Sequence, residues 1–396
     1  MKFVLFYHSL RSDWNHGNAH FLRGIASELI ARGHTVDIYE PADGWSLREL
    51  VAEQGAAAGD AFRSVYPELS STLYTPQLLD LDRVLENADA VIVHEWNDPL
   101  LIKQVGERAA RLRCRALFHD THHRSVTDPQ AMAAIDLRHY DGVLAFGATI
   151  AERYLQQGWT QRAWIWHEAA DTQRFHPLPA RERAGDLVWI GNWGDDERSA
   201  ELTEFLIEPV RALRLQATLH GVRYPPHALD ALASAGIDYQ GWIPNYRAPE
   251  TFARFACTVH VPRQAYARTL RGIPTIRMFE TLACGIPLVS APWDDSEHLF
   301  RPGVDYLVAR DGAQMREHLR AVLSDPELAQ SLRSSGLETI RSRHTCGHRV
   351  DELLRIIASL GAADRPDSAN QRQRRTLLSS RHEREVSLAA RPLAGV

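Results

Sequence analysis

The sequence predicts an α/β protein made of two doubly wound parallel-sheet domains that face each other across a cleft. The chain has 396 residues, more than one ordinary core accommodates and enough for two domains of somewhat under about 200 residues each. Short apolar runs rich in β-branched residues alternate with helix-compatible stretches, the rhythm of βαβ units. That rhythm stops at a connector, Asp171 to Pro179, and then restarts.

Lys2 to His8 reads as the first strand. A loop ending in Gly17 and Asn18 leads to a helix with Phe21, Ile25 and Leu29 at spacings of four, stopped by Gly33. Thr35 to Tyr39 follows as the second strand, and such a unit has a right-handed crossover. Further strands are expected at Ala90 to His94, Arg115 to Phe118, Gly142 to Phe146 and Ala163 to Trp166. Beyond the connector they are expected at Leu187 to Ile190, Ala217 to Gly221, Asp238 to Gly241, Thr258 to Val261, Leu288 to Ser290 and Tyr306 to Val308. Helical periodicity fills Asp311 to Leu360, and from Gly361 the chain turns Arg-, Ser-, Asp- and Gln-rich, a composition too polar to pack. The expected division is therefore residues 1–170, residues 171–360 and a disordered tail over 361–396. No repeat of solenoid period is visible.

The formal charge of −5 and an ordinary apolar fraction of 44% argue against a surface built for nucleic acid or anionic lipid, and against wholesale disorder. Lys2 and Lys103 are the only lysines, so positive charge is nearly all arginine, which grips phosphate with two parallel donors but also follows codon bias. Cys114, Cys257, Cys284 and Cys346 are far apart, without a CxxC pair, as in a cytoplasmic protein with reduced, buried thiols. The apolar run at the N-terminus is too short for a signal segment or a membrane span. Absence of GxGxxG, GxxxxGK[ST] and GxSxG removes the main support for dehydrogenase, P-loop and hydrolase readings.

Gly272 to Pro292, GIPTIRMFETLACGIPLVSAP, is the most informative stretch. Pro274 suits a first helical turn and Gly285 a helix stop. Ile276, Phe279 and Ala283 form an apolar face, and Arg277 and Glu280, three apart, share the neighbouring one. A helix start offers N–H groups to a diphosphate, arginine adds a bidentate clamp, and a carboxylate accepts ribose hydroxyls. The same spacing also describes a solvated ion pair.

FETLACGIPLVS resembles the donor-site motif of the group 1 retaining glycosyltransferases, and the longer run of GWIPN, VHVPR at 259–263, Tyr266 and RGIPTIRMFE is similar to their CgeB-like spore-protein subgroup. The resemblance covers most of residues 1–350 and is specific between Tyr239 and Pro292. It implies the GT-B fold, with Glu280 on the ribose and donor contacts from Arg263, Tyr266, Arg271 and Arg277. One departure stands out: the family carries a second Glu eight positions before the first, and here that position is Gly272. The usual acidic contact to the transferred sugar is thus missing there. HEAADTQRFHP, His167 to Pro177, resembles the family's interdomain segment. The loop Asn15 to Asn18, with Gly17, resembles its glycine-rich loop, or is a plain strand-to-helix turn. VWIGNWGDDER, Val188 to Arg198, sits where the family's donor-phosphate loop lies, giving Gly191, Asn192 and the basic Arg198 as donor-binding candidates.

FHDTHHRS, Phe118 to Ser125, follows a strand and so falls at its C-terminal end, where open α/β sheets bind ligands. His119 is the candidate proton acceptor and Asp120 its orienting partner or the base, with Arg124 toward phosphate. Capping of loop hydrogen bonds, or a metal held by His119, His122 and His123, are the other readings. HEWNDP offers Glu95 and Trp96 to the acceptor side or forms a turn before Pro99; Asp80 and Asp82 read as solvated surface. The expectation is transfer of a hexose-type residue from a UDP-, GDP- or ADP-linked donor to a hydroxyl of a glycan, lipid or small molecule. It is retaining and metal-independent, with the nucleotide sugar as co-substrate, no other cofactor, no nucleic acid and no membrane span. A sugar-nucleotide epimerase of the same fold, or a catalytically degenerate sugar-nucleotide-binding protein, are the alternatives.

Overall fold

The computed structural model describes residues 1–179 and 181–363. The first sheet holds β1 (Lys2–Phe6), β2 (Thr35–Pro41), β3 (Thr72–Tyr74), β4 (Ala90–His94), β5 (Arg115–Asp120), β6 (Gly142–Ala145) and β7 (Ala163–Ile165). Their order is β3-β2-β1-β4-β5-β6-β7, every pair parallel. The second holds β8 (Gly185–Ile190), β9 (Ala217–His220), β10 (Ile237–Tyr239), β11 (Phe255–His260), β12 (Leu288–Ser290) and β13 (Leu307–Val308), in the order β10-β9-β8-β11-β12-β13, again all parallel. This is the expected pair of doubly wound domains.

Parallel strands covered on both faces need apolar side chains on both; Phe3, Val4, Leu5 and Phe6 in β1 are all fully buried. The helix Ala19–Ala31 follows β1, as Phe21, Ile25 and Leu29 predict, and all three are buried. Among the described residues two buried apolar clusters stand out. One is centred on Val91, Val93, Phe118 and Val143, the other on Leu187, Trp189, Val259 and Val289.

Two features differ from the sequence reading. β3 was not expected; three residues at the sheet edge, two of them exposed, carry no pattern and are strand only because Tyr39 pairs with Thr72. The helix Cys346–Ala363, assigned above to the second domain, starts against the first. There a β-carbon on Gly24 would lie 2.6 Å from the Cys346 sulfur, and Trp166 Nε1 donates to the Arg349 carbonyl at 2.8 Å. The chain thus passes between the domains twice, and the two passages touch: Ala170 N–H donates to the His344 carbonyl at 2.9 Å and Cys346 N–H to the Ala170 carbonyl at 3.0 Å.

Met1–Leu353 form one compact unit, and the helix residues from Leu354 belong to a second. Most of the expected tail, from residue 364 on, lies outside the described residues. All four cysteines are buried and free. Among the described residues no helix is long and apolar enough to cross a membrane.

Candidate functional site

In both sheets strand order reverses direction, between β1 and β4 and between β8 and β11, and the C-terminal strand ends beside these points form the crevice. The two crevices face each other across a cavity of about 530 Å³. A more open depression of about 720 Å³ lies elsewhere, along Ser199, Thr203, Glu204 and Arg316.

The second-domain wall carries the helix Ile276–Cys284. Its N-terminal residue Thr275 makes no side-chain cap; the hydroxyl instead meets His260 Nε2 at 3.0 Å. The first N–H groups of this helix therefore border the cleft without a capping side chain, a ready anion site. Thr275, Ile276 and Arg277 line the cavity, as do Gly191, Asn192, Arg198, Arg263 and Tyr266. His260 is kept neutral, its pKa pushed down to about 3 by burial and then by Arg198.

Glu280 is not in the wall. Its carboxylate is fully buried behind it, paired with Arg277, 2.7 Å from Asn245 Nδ2 and 2.9 Å from His20 Nδ1 of the first domain. Burial alone raises such a carboxyl, but Arg277, His20 and Asn245 together hold it below its usual pKa. Arg277, its ion-pair partner, is the residue of the pair that lines the cavity. The face shared by Arg277 and Glu280 turns toward helix Ala19–Ala31, so only the longer side chain reaches the cleft.

Arg198 lines the cavity but is largely occupied with structure. Its guanidinium donates to the carbonyls of Asn192, Trp193 and Val261, and burial lowers its pKa to about 10. It fixes the loop after β8. A β-carbon on Gly221 would come within 2.0 Å of the Gly191 carbonyl oxygen, so that loop closes only over glycine. Arg263 is paired with Glu197, and its Nη2 lies 3.5 Å from Asp195. Arg271 is exposed and lies 3.7 Å from Asp294, outside the cavity wall. Asn192 reaches across to Asn15, and Gly17 brings its backbone to Ile276, a β-carbon there being 3.4 Å from the isoleucine methyl. Asn18 Nδ2 donates to the Thr121 carbonyl at 3.5 Å.

On the first-domain side His119 and Asp120, the catalytic candidates, are buried and lie outside the cavity lining. Both are still in sheet register, opposite Leu144 and Ala145, which directs their side chains into the layers flanking the sheet. His119 packs on Trp166 at 4.8 Å, and burial lowers its pKa to about 3. Asp120 accepts from the Tyr154 hydroxyl at 2.8 Å and the His122 N–H at 2.9 Å; burial lifts its pKa to about 6. Glu95 is likewise buried, accepting from the Thr121 N–H at 3.3 Å, whereas Trp96 faces the cavity beneath the Arg124 guanidinium, 4.8 Å away. Asp80 caps a short helix and Asp82 pairs with Arg108, at the surface as expected.

The groups that do line this wall come from other strand ends. His8 follows β1, His94 ends β4, and Thr121, His122 and His123 follow β5. His8 stacks on Trp45 at 5.4 Å and meets His16 edge-on at 4.1 Å, with neither ring nitrogen hydrogen-bonded; burial drives its pKa down to about 4. Sequence reasoning passed over His8, His16 and Trp45, although the strand-end rule that selected His119 also points to His8. Among the described residues no three potential ligands gather as a metal site: His122 and His123 stack at 3.8 Å, while His119 points away toward Trp166.

Gly272 has a φ of +81°, and a β-carbon there would lie 2.7 Å from Glu297 Cγ. The position has no room for the family's glutamate. Glu297 instead caps the helix Ala148–Gln156 through the Ala148 N–H at 2.8 Å and lies 3.1 Å from His167 Nε2.

The fold is GT-B, two Rossmann-like domains around a cleft. Solved structures of that architecture superpose on nearly the whole chain. Sucrose-phosphate synthase from Thermosynechococcus elongatus matches with a TM-score of 0.59 at 15% identity, covering 92% of this chain and 100% of its own. HepE of Anabaena, in complex with UDP and glucose, matches with a TM-score of 0.63 at 13% identity, covering 91% and 100%. An α-glucosyltransferase in complex with UDP-glucose and DNA containing an abasic site matches with 0.64 at 13% identity, covering 90% and 99%. Residues 198–355, most of the second domain, match the family described as glycosyl transferase-like. No curated protein matches the sequence.

Proposed function

We propose that the protein is a glycosyltransferase of the CgeB-like type, moving a hexose-type sugar from a nucleoside diphosphate donor to a hydroxyl acceptor, with retention and without a metal, in the cytoplasm. The observation that carries this reading is the second-domain wall, where an uncapped helix start, Arg277, Arg263 and the glycine-bounded loop Gly191–Gly194 converge on one side of a single cleft. The glycosyl transferase-like match falls on that same domain, and UDP or UDP-glucose is bound by two of the proteins that share the fold.

The leaving diphosphate sits at the helix start, its charge stabilised by backbone N–H groups and the two arginines, which are fixed before the reaction and need no reorganisation. Glu280 acts as a positioning residue that anchors Arg277 and Asn245. The acceptor enters against Trp45, Trp96 and the neutral imidazoles, whose apolar faces and ring nitrogens suit a polyhydroxylated molecule. The test is calorimetry with UDP, GDP and ADP and their common sugar conjugates, with and without magnesium. Saturable, magnesium-independent binding of one nucleotide is expected. Binding by none overturns the donor site, and conversion of the sugar nucleotide without any acceptor identifies an epimerase instead.

A further inference from the structure

Glu168 lies on the connector between the sheets, next to His167, and forms part of the cleft floor with Phe146 and Tyr266. It is 3% exposed, and its Oε1 has no hydrogen-bond partner among the described residues. Among the described residues two other carboxylates line the cleft, and both face cations. Asp13 is 2.9 Å from Arg23 Nη1, and Asp195 pairs with Arg223 and Arg263. Glu168 faces none. Burial, and then the nearby Glu280 charge, push its carboxyl well above the usual range. Leaving a buried acceptor unsatisfied costs stability, and a group of this kind aimed into a cleft marks a place where a ligand completes the bonding.

On the glycosyl-transfer reading, a diphosphate at the Thr275 helix start directs its sugar toward the floor, between the nucleotide wall and the acceptor wall. We infer that Glu168 binds the hydroxyls of the transferred sugar. A carboxyl presents two oxygens to neighbouring ring hydroxyls, and those hydroxyls supply the donors that Oε1 lacks. Position 272 cannot take this role, since its backbone conformation and Glu297 exclude a side chain there. The assignment rests on the donor site proposed above but concerns the sugar alone.

The experiment is calorimetric titration of Glu168→Ala and Glu168→Gln with UDP and UDP-glucose, and with the corresponding GDP and ADP pairs, alongside turnover. Free diphosphate affinity is expected to match wild type in both variants. The sugar conjugate loses about tenfold or more of its affinity in Glu168→Ala, with part of the loss restored in Glu168→Gln, whose amide still offers an oxygen. The unliganded Glu168→Ala variant melts at or above the wild-type temperature, because a buried orphan is removed. Unchanged conjugate affinity in Glu168→Ala overturns the inference. So does a Glu168→Gln enzyme that binds the conjugate fully yet does not turn over, since that assigns proton transfer instead. Failure of every nucleotide to bind the wild type overturns the donor site itself, a result distinct from either.

Discussion

Glu280 shows what a single residue contributes when its partners come from three segments. Arg277 is on its own helix, Asn245 in a loop of the second domain, and His20 on a helix of the first. Removing a buried charge leaves its counter-charges without a position. Glu280→Ala is expected to weaken nucleotide diphosphate binding by about 1–3 kcal/mol, through a mobile Arg277, as read by calorimetry. Unchanged affinity would show that Arg277 reaches the phosphate unaided. Residue types at this site were legible in the sequence but directions were not. The spacing of Arg277 and Glu280 put them on one face, yet whether that face meets solvent, ligand or the other domain depends on how the domains pack. For the same reason the sequence locates His119 at a strand end but does not reveal that its ring turns toward Trp166.

Strands and helices were more legible, because burial on both faces leaves a run of apolar residues that needs no partner to be recognised. β3 is the exception, being defined by its neighbour β2. The segment between β11 and helix Ile276–Cys284 held a second surprise. Tyr266, Leu270 and Ile273 pack into the first-domain core, so the segment bridges the domains, with a left-handed turn at Gly272 just before Ile273. Gly272→Ala places a side chain in that conformation and against Glu297. It is expected to lower unfolding stability by roughly 1–3 kcal/mol in urea titration. A neutral result would mean that the Glu297 side chain yields freely and that the turn is unstrained.

For the whole molecule, the dominant titration is that of buried imidazoles. His8 and His123 are pushed down to about 4, and His119, His260 and His344 to about 3, all chiefly by burial. His16, His94 and His122 move the same way. In the unfolded chain each titrates near about 6.5. Below that pH the unfolded state binds more protons than the native one, so stability falls as pH drops toward the native values. The carboxyls raised by burial act oppositely. Asp120, at about 6, joins Glu95, Glu168 and Asp171 in favouring the native state as pH falls toward their unfolded values. The imidazoles outnumber them, so the urea midpoint is expected to fall between pH 7 and pH 5. A flat or rising midpoint would show that these histidines are hydrated in solution. That both domains would be doubly wound was legible from the restart after Asp171. That their inner walls would be lined by histidine and tryptophan was not, because those residues come from loops distant in sequence.

The paired passages at Ala170 and His344–Cys346 also have a mechanical consequence. The bridge is one residue wide, Ala170 beside Thr345, so each passage is held in place by the other's backbone. Displacing either passage costs the backbone hydrogen bonds of both, and the two crossings behave as one mechanical element.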